Sequence, residues 1–235
     1  MEDFSAVILA AGSGSRMGTK IKKQYLDIGG KPLIYYALKA FEKSDVSNIV
    51  LVVSPGDEEF VYEDIVKKYN ISKVGNVVPG GSTRYFSVYE GLKNVKNRYV
   101  LVHDGARCLI SDDIIERMIM ETKEHEACVT AVPSIDTVRL SDEDGFVSST
   151  PVRSRVWSIQ TPQGFASALL KDAYSRLFEM GEGAFSEITD DAMIVERAFP
   201  DKKIKFVMGN YDNIKVTTPK DIAICEEIWQ RRISI

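Results

Sequence analysis

The sequence predicts a Rossmann-like α/β domain in which helices cover both faces of a mostly parallel sheet. Strand-like and helix-like segments alternate along the chain, with short connections between them. The strand-like segments are continuous runs of Val, Ile and Leu instead of alternating apolar and polar residues. Continuous runs are typical of strands that are buried on both faces, as they are in a parallel sheet. For a chain of 235 residues we expect one domain, over residues 1–235.

The individual elements follow from hydrophobic periodicity and from the residues typical of helix ends. Strands are predicted at residues 7–10, 48–54, 73–78, 99–103, 127–133 and 203–208. Helices are predicted at residues 32–42, 57–69, 83–96, 111–125, 162–178, 189–199 and 219–232. Pro32 suits the first turn of its helix, where a missing N–H costs nothing, and Ser82 is the expected N-cap of the helix that follows it.

The regular alternation stops between residues 134 and 159. Two short strand-like segments, 137–140 and 146–150, flank an acidic turn at 141–145, which predicts a β-hairpin. This hairpin carries too few large apolar residues to belong to the core, so we expect it to project as an arm at about residues 135–158. A partner subunit is the simplest surface for such an arm to lie against, which predicts a homodimer.

Composition excludes several classes of protein. A net charge of −4 argues against a general nucleic-acid binder, which usually carries an excess of Lys and Arg. No apolar run approaches the roughly 20 residues of a membrane span. The three cysteines, Cys108, Cys128 and Cys225, are odd in number and widely spaced, which predicts free thiols in a reducing cytoplasm and no paired zinc site.

The loop after the first strand is rich in glycine and is followed by basic residues. Gly12, Gly14 and Gly18 let backbone N–H groups approach phosphate oxygens closely, and Arg16 and Lys23 can balance the charge of a triphosphate. Neither the P-loop pattern nor the dinucleotide-binding pattern fits, because the loop lacks a Gly-Lys-Ser/Thr end and the third glycine. The loop therefore predicts a polyphosphate site, with a plain tight turn as the structural alternative.

Three further places carry polar residues where ligands of parallel sheets bind, beyond the carboxyl ends of strands. Gly80 and Gly81 lead into a helix whose first turn presents Arg84 and Ser87, which suits a base or a phosphate. A structural turn is the alternative for the two glycines.

The other two places are Asp104, which a strand delivers into a loop, and Lys215, at the end of the last strand-like segment. Asp104 could bind Mg²⁺ beside phosphate oxygens. It could instead cap a helix or pair with Arg107, and Lys215 could be a solvated surface charge. His103 is expected to be a packed residue, and Asp190 and Asp191 are expected to stabilise a helix N-terminus.

Taken together, these motifs resemble the 2-C-methyl-D-erythritol 4-phosphate cytidylyltransferase family. The resemblance rests, in chain order, on residues 10–18, 23–25, 80–88, 102–107, 136–137, 160–163, 189–192 and 213–217. It implies transfer of CMP from CTP to a sugar-alcohol phosphate in non-mevalonate isoprenoid synthesis, with release of pyrophosphate. It also implies a divalent cation, Mg²⁺, and a homodimer with interlocking arms.

The resemblance implies a role for each site residue. The catalytic residues are expected to be Arg16, Lys23, Arg153 and Lys215. CTP is expected to contact Ala10, Ala11, Gly12, Ser13, Gly14, Gly80, Arg84 and Ser87. The acceptor is expected to contact Asp104, Arg107, Thr137, Arg153, Thr161, Thr189 and Lys215, with Asp104 also on the metal and Arg153 reaching the neighbour's site.

The sequence departs from the family's usual pattern at three positions. Lys22 stands where proline is usual, which leaves open whether Lys22 or Lys23 serves the site. Gly105 and Cys108 stand where alanine and proline are usual, and the Cys108 thiol has no evident task. Two other functions stay open: a ribitol 5-phosphate cytidylyltransferase, and a nucleotide-binding regulator without turnover.

Overall fold

A computed structural model of the chain describes residues 3–12 and 21–233. Its strands are β1 (Phe4–Ala10), β2 (Asp27–Ile28), β3 (Lys31–Pro32), β4 (Asn48–Val53), β5 (Val74–Pro79), β6 (Tyr99–Asp104), β7 (Ala127–Pro133), β8 (Leu140–Ser141), β9 (Val147–Ser149), β10 (Trp157–Ala166) and β11 (Lys205–Met208). Its α-helices are α1 (Leu33–Lys43), α2 (Glu58–Val61), α3 (Arg84–Leu92), α4 (Asp112–His125), α5 (Ser167–Met180), α6 (Asp191–Ala198) and α7 (Pro219–Ile233). A π-helical segment, Tyr62–Lys67, continues α2, and short 3₁₀ helices lie at Lys23–Tyr25, Arg153–Arg155 and Glu182–Phe185.

The main sheet confirms the predicted α/β architecture. Over the described residues it has seven strands in the order β11-β7-β10-β6-β1-β4-β5. Within this sheet only β10 runs antiparallel to its neighbours, and every other pairing is parallel. The central strand β1 pairs with β4 and β6, so the carboxyl ends of all three strands open at the same edge.

Hydrophobic clusters cover both faces of this sheet. Ile8 and Leu51 pack on one face with residues of α1 and α4, whereas Val7 and Val50 pack on the other face with residues of α3 and α5. The side chains of neighbouring residues in a strand point to opposite faces of the sheet. Both faces can be apolar only if all successive residues of the strand are apolar. This is the physical origin of the continuous apolar runs in the sequence.

The prediction of a helix over residues 162–178 is wrong at its start. Residues up to Ala166 belong to β10, and α5 begins only at Ser167. Pro162 and Gly164 are poor strand formers, and the ladder shifts register between Ile159 and Gln163. Pairing with β6 on one side and β7 on the other overrides the local preference, and Gly164 is required because a Cβ there would collide with Thr122 Oγ1.

Several predicted boundaries also shift. The third helix is capped by Thr83, whose side chain accepts from Phe86 N, and not by Ser82. This helix ends at Leu92 instead of residue 96. The predicted hairpin is present, although its ladder is short and pairs Leu140 with Ser149 and Ser141 with Val147.

The hairpin and its flanks form the arm, residues 135–158, which carries exposed apolar side chains. Ile135, Leu140, Phe146 and Val147 are each more than half exposed. Side chains of this size are normally covered when they cluster on a surface.

None of the helices in residues 3–12 and 21–233 has the length and apolarity that a bilayer crossing requires.

Candidate active site

A cavity of about 430 Å³ opens at the carboxyl ends of β1 and β6. It collects residues from four separate segments of the chain that the sequence singled out. The predicted site residues that line it are Ala10, Ala11, Gly12, Lys23, Arg84, Ser87, Asp104 and Lys215. Leu9 of β1 lies opposite Asp104 of β6 in the parallel ladder, which is why the loops that follow both strands meet here.

Asp104 lies between two cations in this cavity. Its Oδ1 is 3.3 Å from Arg84 Nε, and its Oδ2 is 2.6 Å from Lys215 Nζ. Burial alone would raise the pKa of Asp104, but Arg84 and Lys215 hold it well below its usual range. Asp104 is therefore a carboxylate at neutral pH, and Lys215 is part of the site and not only a surface charge.

Arg84 has a second carboxylate partner that sequence reasoning missed. Arg84 Nη2 lies 2.8 Å from Oδ2 of Asp191, which is fully buried, and Tyr174 Oη donates to Asp191 Oδ1 at 2.9 Å. Burial raises the pKa of Asp191, and Arg84 opposes that rise. The predicted role at the helix N-terminus falls to Asp190, whose side chain caps α6 by accepting from Met193 N. The sequence did contain one sign of this role: Asp190 alone can cap the helix, so the acidic residue that follows it, Asp191, is not needed for capping.

A chain of hydrogen bonds holds Asp104 from behind. Asp104 N donates to Thr161 Oγ1 at 3.0 Å, and Thr161 Oγ1 contacts His103 Nδ1 at 3.1 Å. His103 Nε2 faces Arg107 O at 3.2 Å, a group that can only accept. This assigns the proton of a neutral His103 to Nε2, so that Nδ1 accepts from the Thr161 hydroxyl.

We expect the stability of the protein to fall as the pH drops below neutrality because of His103. Burial lowers the pKa of His103 to about 4 from 6.5, although the neighbouring Asp104 carboxylate favours the charged form. The unfolded chain binds this proton first, so the free energy of unfolding should fall by about 2 kcal/mol between about pH 7 and about pH 5. Urea unfolding at several pH values measures this slope. The variant His103→Asn should lose it, and an unchanged slope would show that other groups cause it.

Lys23, and not its neighbour Lys22, faces the cavity. Lys23 Nζ donates to Val216 O at 3.2 Å, which holds the ammonium beside the Lys215 segment. Lys22 Nζ turns away to Asp57 Oδ2, 2.7 Å distant. Of these two lysines, Lys23 is therefore the one that lines the described cavity.

The part of the glycine-rich loop that the structure describes is held by a buried glutamine. Gln24 Nε2 donates to Ala10 O at 2.6 Å and to Gly12 O at 3.2 Å. Gln24 belongs to the motif at residues 23–25, but that motif does not by itself indicate this contact. The predictions for Ser13, Gly14 and Arg16 fall outside the described residues.

Gly80, which directly follows β5, packs against this loop. A Cβ at Gly80 would lie 2.5 Å from Ala11 Cβ and 2.8 Å from Ser87 Oγ. Contacts this close exclude any larger residue, which argues for a role beyond a plain turn. Ser87 Oγ in turn accepts from Gly81 N at 3.1 Å and donates to Thr83 O at 2.8 Å.

The other predicted residues lie outside the cavity lining that the described residues define. Arg107 supports its wall, since its guanidinium donates to Asn213 O at 2.7 Å and to Ile159 O at 3.3 Å. Thr137 and Arg153 are exposed in the arm, and Thr189 is exposed before α6. None of these three residues lines the described cavity with Asp104.

The donor set fits one divalent cation that is shared with a phosphorylated ligand. Mg²⁺ prefers oxygen ligands and is often held by one or two carboxylates together with substrate phosphates. Asp104 offers an ionised carboxylate at the cavity wall, beside cations that suit phosphate oxygens. Each of its oxygens has a second lone pair that Arg84 and Lys215 leave available.

Comparison with known proteins agrees with this geometry. The family model described as IspD, 2-C-methyl-D-erythritol 4-phosphate cytidylyltransferase, matches residues 4–231. The enzymes of that name from Lachnoclostridium phytofermentans and Lachnospira eligens are 48% and 44% identical to this chain, over 97% and 94% of it and over 97% and 96% of their own lengths.

A solved structure extends the agreement to three dimensions. The crystal structure of 4-diphosphocytidyl-2C-methyl-D-erythritol synthase from Anaerococcus prevotii superposes with a TM-score of 0.86 at 35% identity, covering 97% of this chain and 96% of that one. Sequence and fold agree over almost the whole length. The chain belongs to the 2-C-methyl-D-erythritol 4-phosphate cytidylyltransferase family.

Proposed function

We propose that this protein transfers CMP from CTP to 2-C-methyl-D-erythritol 4-phosphate, forming 4-diphosphocytidyl-2-C-methyl-D-erythritol and pyrophosphate in isoprenoid synthesis. The observation that carries the proposal is the gathering of Lys23, Arg84 and Lys215 around the Asp104 carboxylate in one cavity. Three cations at the rim of a sheet suit a reaction between highly charged phosphates.

The reaction is a direct displacement at phosphorus. An oxygen of the acceptor phosphate attacks the α-phosphorus of CTP, and the bond from that phosphorus to the bridging oxygen of the β-phosphate breaks, which releases pyrophosphate. The acceptor phosphate is already an anion at neutral pH, so the step needs no general base. It needs alignment and neutralisation of charge, which positioned cations supply.

We assign the nucleotide to the two loops that meet at the cavity. The backbone of Ala10, Ala11 and Gly12 borders the space for the triphosphate, and we propose that the next two residues, Ser13 and Gly14, continue this contact. Gly80, Arg84 and Ser87 would hold the nucleotide from the opposite side. In this scheme Lys23 and Arg16 stabilise the charge that develops on the transferring group.

We assign the acceptor phosphate to the side of the cavity that Lys215 borders. Thr161 and Arg107 stabilise this wall through Asp104 and the Asn213 segment, and Thr189, Thr137 and Arg153 would complete the acceptor site. Asp104 would hold Mg²⁺, which when bound withdraws charge from the phosphate oxygens.

We propose that the active form is a homodimer in which the arm of each subunit reaches the other's cavity. The exposed apolar side chains of the arm need a cover, and neither Thr137 nor Arg153 lines the described cavity of its own subunit. The three free thiols are consistent with a reducing cytoplasm, where we place the enzyme.

The main experiment measures pyrophosphate release from CTP with 2-C-methyl-D-erythritol 4-phosphate and, in parallel, with ribitol 5-phosphate. We expect turnover with the first acceptor and little with the second. Turnover with ribitol 5-phosphate instead would reassign the substrate. Binding of CTP without release of pyrophosphate from it in the presence of either acceptor would support a regulator and overturn the proposal.

Mixed dimers test whether Arg153 acts in the neighbouring site. Lys23→Ala and Arg153→Ala each disable a homodimer, but a dimer with one subunit of each kind keeps one intact site if Arg153 crosses over. Random mixing should then restore about one quarter of normal activity, since half of the dimers are mixed and each has one good site. If Arg153 serves its own subunit, every site carries a defect and mixing restores nothing.

A further inference from the structure

Two cysteines that the reaction does not use lie against each other below the active site. The Sγ atoms of Cys108 and Cys225 are 3.4 Å apart, although the residues are separated by 117 positions in the chain. Cys108 is 2% exposed and Cys225 is fully buried. Both belong to a small hydrophobic cluster between α1, α7 and the loop after β6.

We propose that Cys108 and Cys225 are a modification site, at which a peroxide converts the two thiols into a reversible intramolecular disulfide. Bonded sulfur atoms lie about 2.05 Å apart, so the two sulfurs must approach by about 1.3 Å. Rotation of both cysteine side chains can together bring the two sulfur atoms this much closer. The third cysteine, Cys128, lies in β7 within a different cluster and serves as an internal control.

The oxidation balances with hydrogen peroxide as the oxidant. The sulfur of Cys225 attacks one peroxide oxygen and the O–O bond breaks, which gives a sulfenic acid and, with the thiol proton, one water. The sulfur of Cys108 then attacks the Cys225 sulfur, forms the S–S bond and releases a second water. Two thiols and one peroxide thus become one disulfide and two waters.

The surroundings favour Cys225 as the sulfur that attacks first. The contact between the two sulfurs fits a hydrogen bond in which Cys108 donates, which lowers the pKa of Cys225. The Arg232 guanidinium acts in the same direction, whereas burial and the carboxylates of Asp221 and Glu226 oppose it. Arg232 is held in place by donating to Leu109 O at 2.8 Å. Both sulfurs are buried, so peroxide, which is close to water in size, must reach them through local opening of the cluster around them.

The disulfide would join two segments that carry active-site residues. Cys108 follows Asp104 by four positions, and α7 begins four residues after Lys215. These segments already meet where Val216 N donates to Ala106 O at 2.9 Å. A covalent link between them closes a long loop and should therefore stabilise the folded protein.

The test counts free thiols before and after treatment of the full protein with a molar excess of hydrogen peroxide. After unfolding in iodoacetamide, the untreated protein should take up three labels and the oxidised protein one, on Cys128. Dithiothreitol should restore all three. The oxidised protein should also melt roughly 10 °C higher, as expected for a loop of this length in a chain of this size.

Single variants make the test specific. Cys128→Ala should still form the disulfide, and Cys225→Ala should keep two free thiols after peroxide. Cys108→Ala should form no disulfide and should instead carry an oxidised Cys225, because the sulfur that resolves the sulfenic acid is gone. In the treated wild-type protein, three labels, a disulfide that includes Cys128, or oxygen atoms added to a single cysteine in place of a disulfide would each overturn the proposal. A Cys108–Cys225 disulfide without a rise in melting temperature would overturn its stabilising effect.

Discussion

Replacing Lys23 by alanine should lower turnover about a hundredfold or more, with little change in folding stability. Lys23 lines the cavity from the start of the 3₁₀ helix Lys23–Tyr25. Removing one positioned cation from a site of phosphoryl transfer typically costs a few kcal/mol of barrier, and each 1.4 kcal/mol corresponds to a factor of about ten. Initial rates of pyrophosphate release at saturating CTP and acceptor measure the effect.

The neighbouring lysine is a matched control for this substitution. Lys22→Ala removes the same charge one residue away, but the Lys22 ammonium pairs with Asp57 and does not line the described cavity. We expect near-normal turnover from Lys22→Ala. Similar losses in the two variants would mean that general positive charge matters and not the position of Lys23. Near-normal turnover in Lys23→Ala would remove Lys23 from its proposed role.

Replacing Asp191 by alanine should lower the free energy of unfolding by about 3–5 kcal/mol. Asp191 is fully buried and is the partner of the Arg84 guanidinium at 2.8 Å. Its removal leaves a largely buried cation without this partner and takes the acceptor from Tyr174 Oη. Breaking one side of a buried ion pair has a large effect because the remaining charge stays desolvated. Urea unfolding followed by circular dichroism measures the change.

An exposed ion pair provides the comparison for Asp191. Asp113 and Arg117 are 2.7 Å apart on the surface of α4, so Asp113→Ala should cost less than about 1 kcal/mol. A double variant, Asp191→Leu with Arg84→Met, removes both charges of this pair and should recover part of the stability that Asp191→Ala loses. The recovery should be incomplete, because Arg84 also neutralises the buried Asp104 carboxylate. Equal, small losses for Asp191→Ala and Asp113→Ala would contradict the proposed weight of the buried pair.

The candidate site was predictable from the sequence where a residue follows a strand of the parallel sheet. Asp104 ends β6 and Ala10 ends β1, and their positions in the cavity follow from strand order alone. Lys215 was found through its motif, but its 2.6 Å contact with Asp104 depends on how the last segment folds back over the sheet. No local pattern contains that distance.

The residues that sequence reasoning missed act through contacts between distant parts of the chain. Asp191 meets Arg84 across more than a hundred residues, and Gln24 holds a loop that precedes it. A carboxylate in a buried ion pair and a carboxylate that caps a helix look alike in the sequence. What distinguishes them is the residue that each contacts, and for the ion pair that residue is distant in the chain. The same reason explains why the Cys108 thiol had no evident task until Cys225 was placed beside it.

Hydrophobic runs, glycine-rich loops and ordered motifs were enough to predict the α/β class, the edge of the sheet at which the cavity opens, and the family. These features are local, because burial on both faces and close approach of backbone to phosphate both restrict residue types within a few positions. Only the folded structure shows that residues 162–166, which follow a helical pattern, belong to strand β10. It also shows that Lys23 and not Lys22 lines the described cavity, and that Asp191 pairs with Arg84. Each of these depends on packing between segments far apart in the chain, whose energy a short window of sequence does not contain.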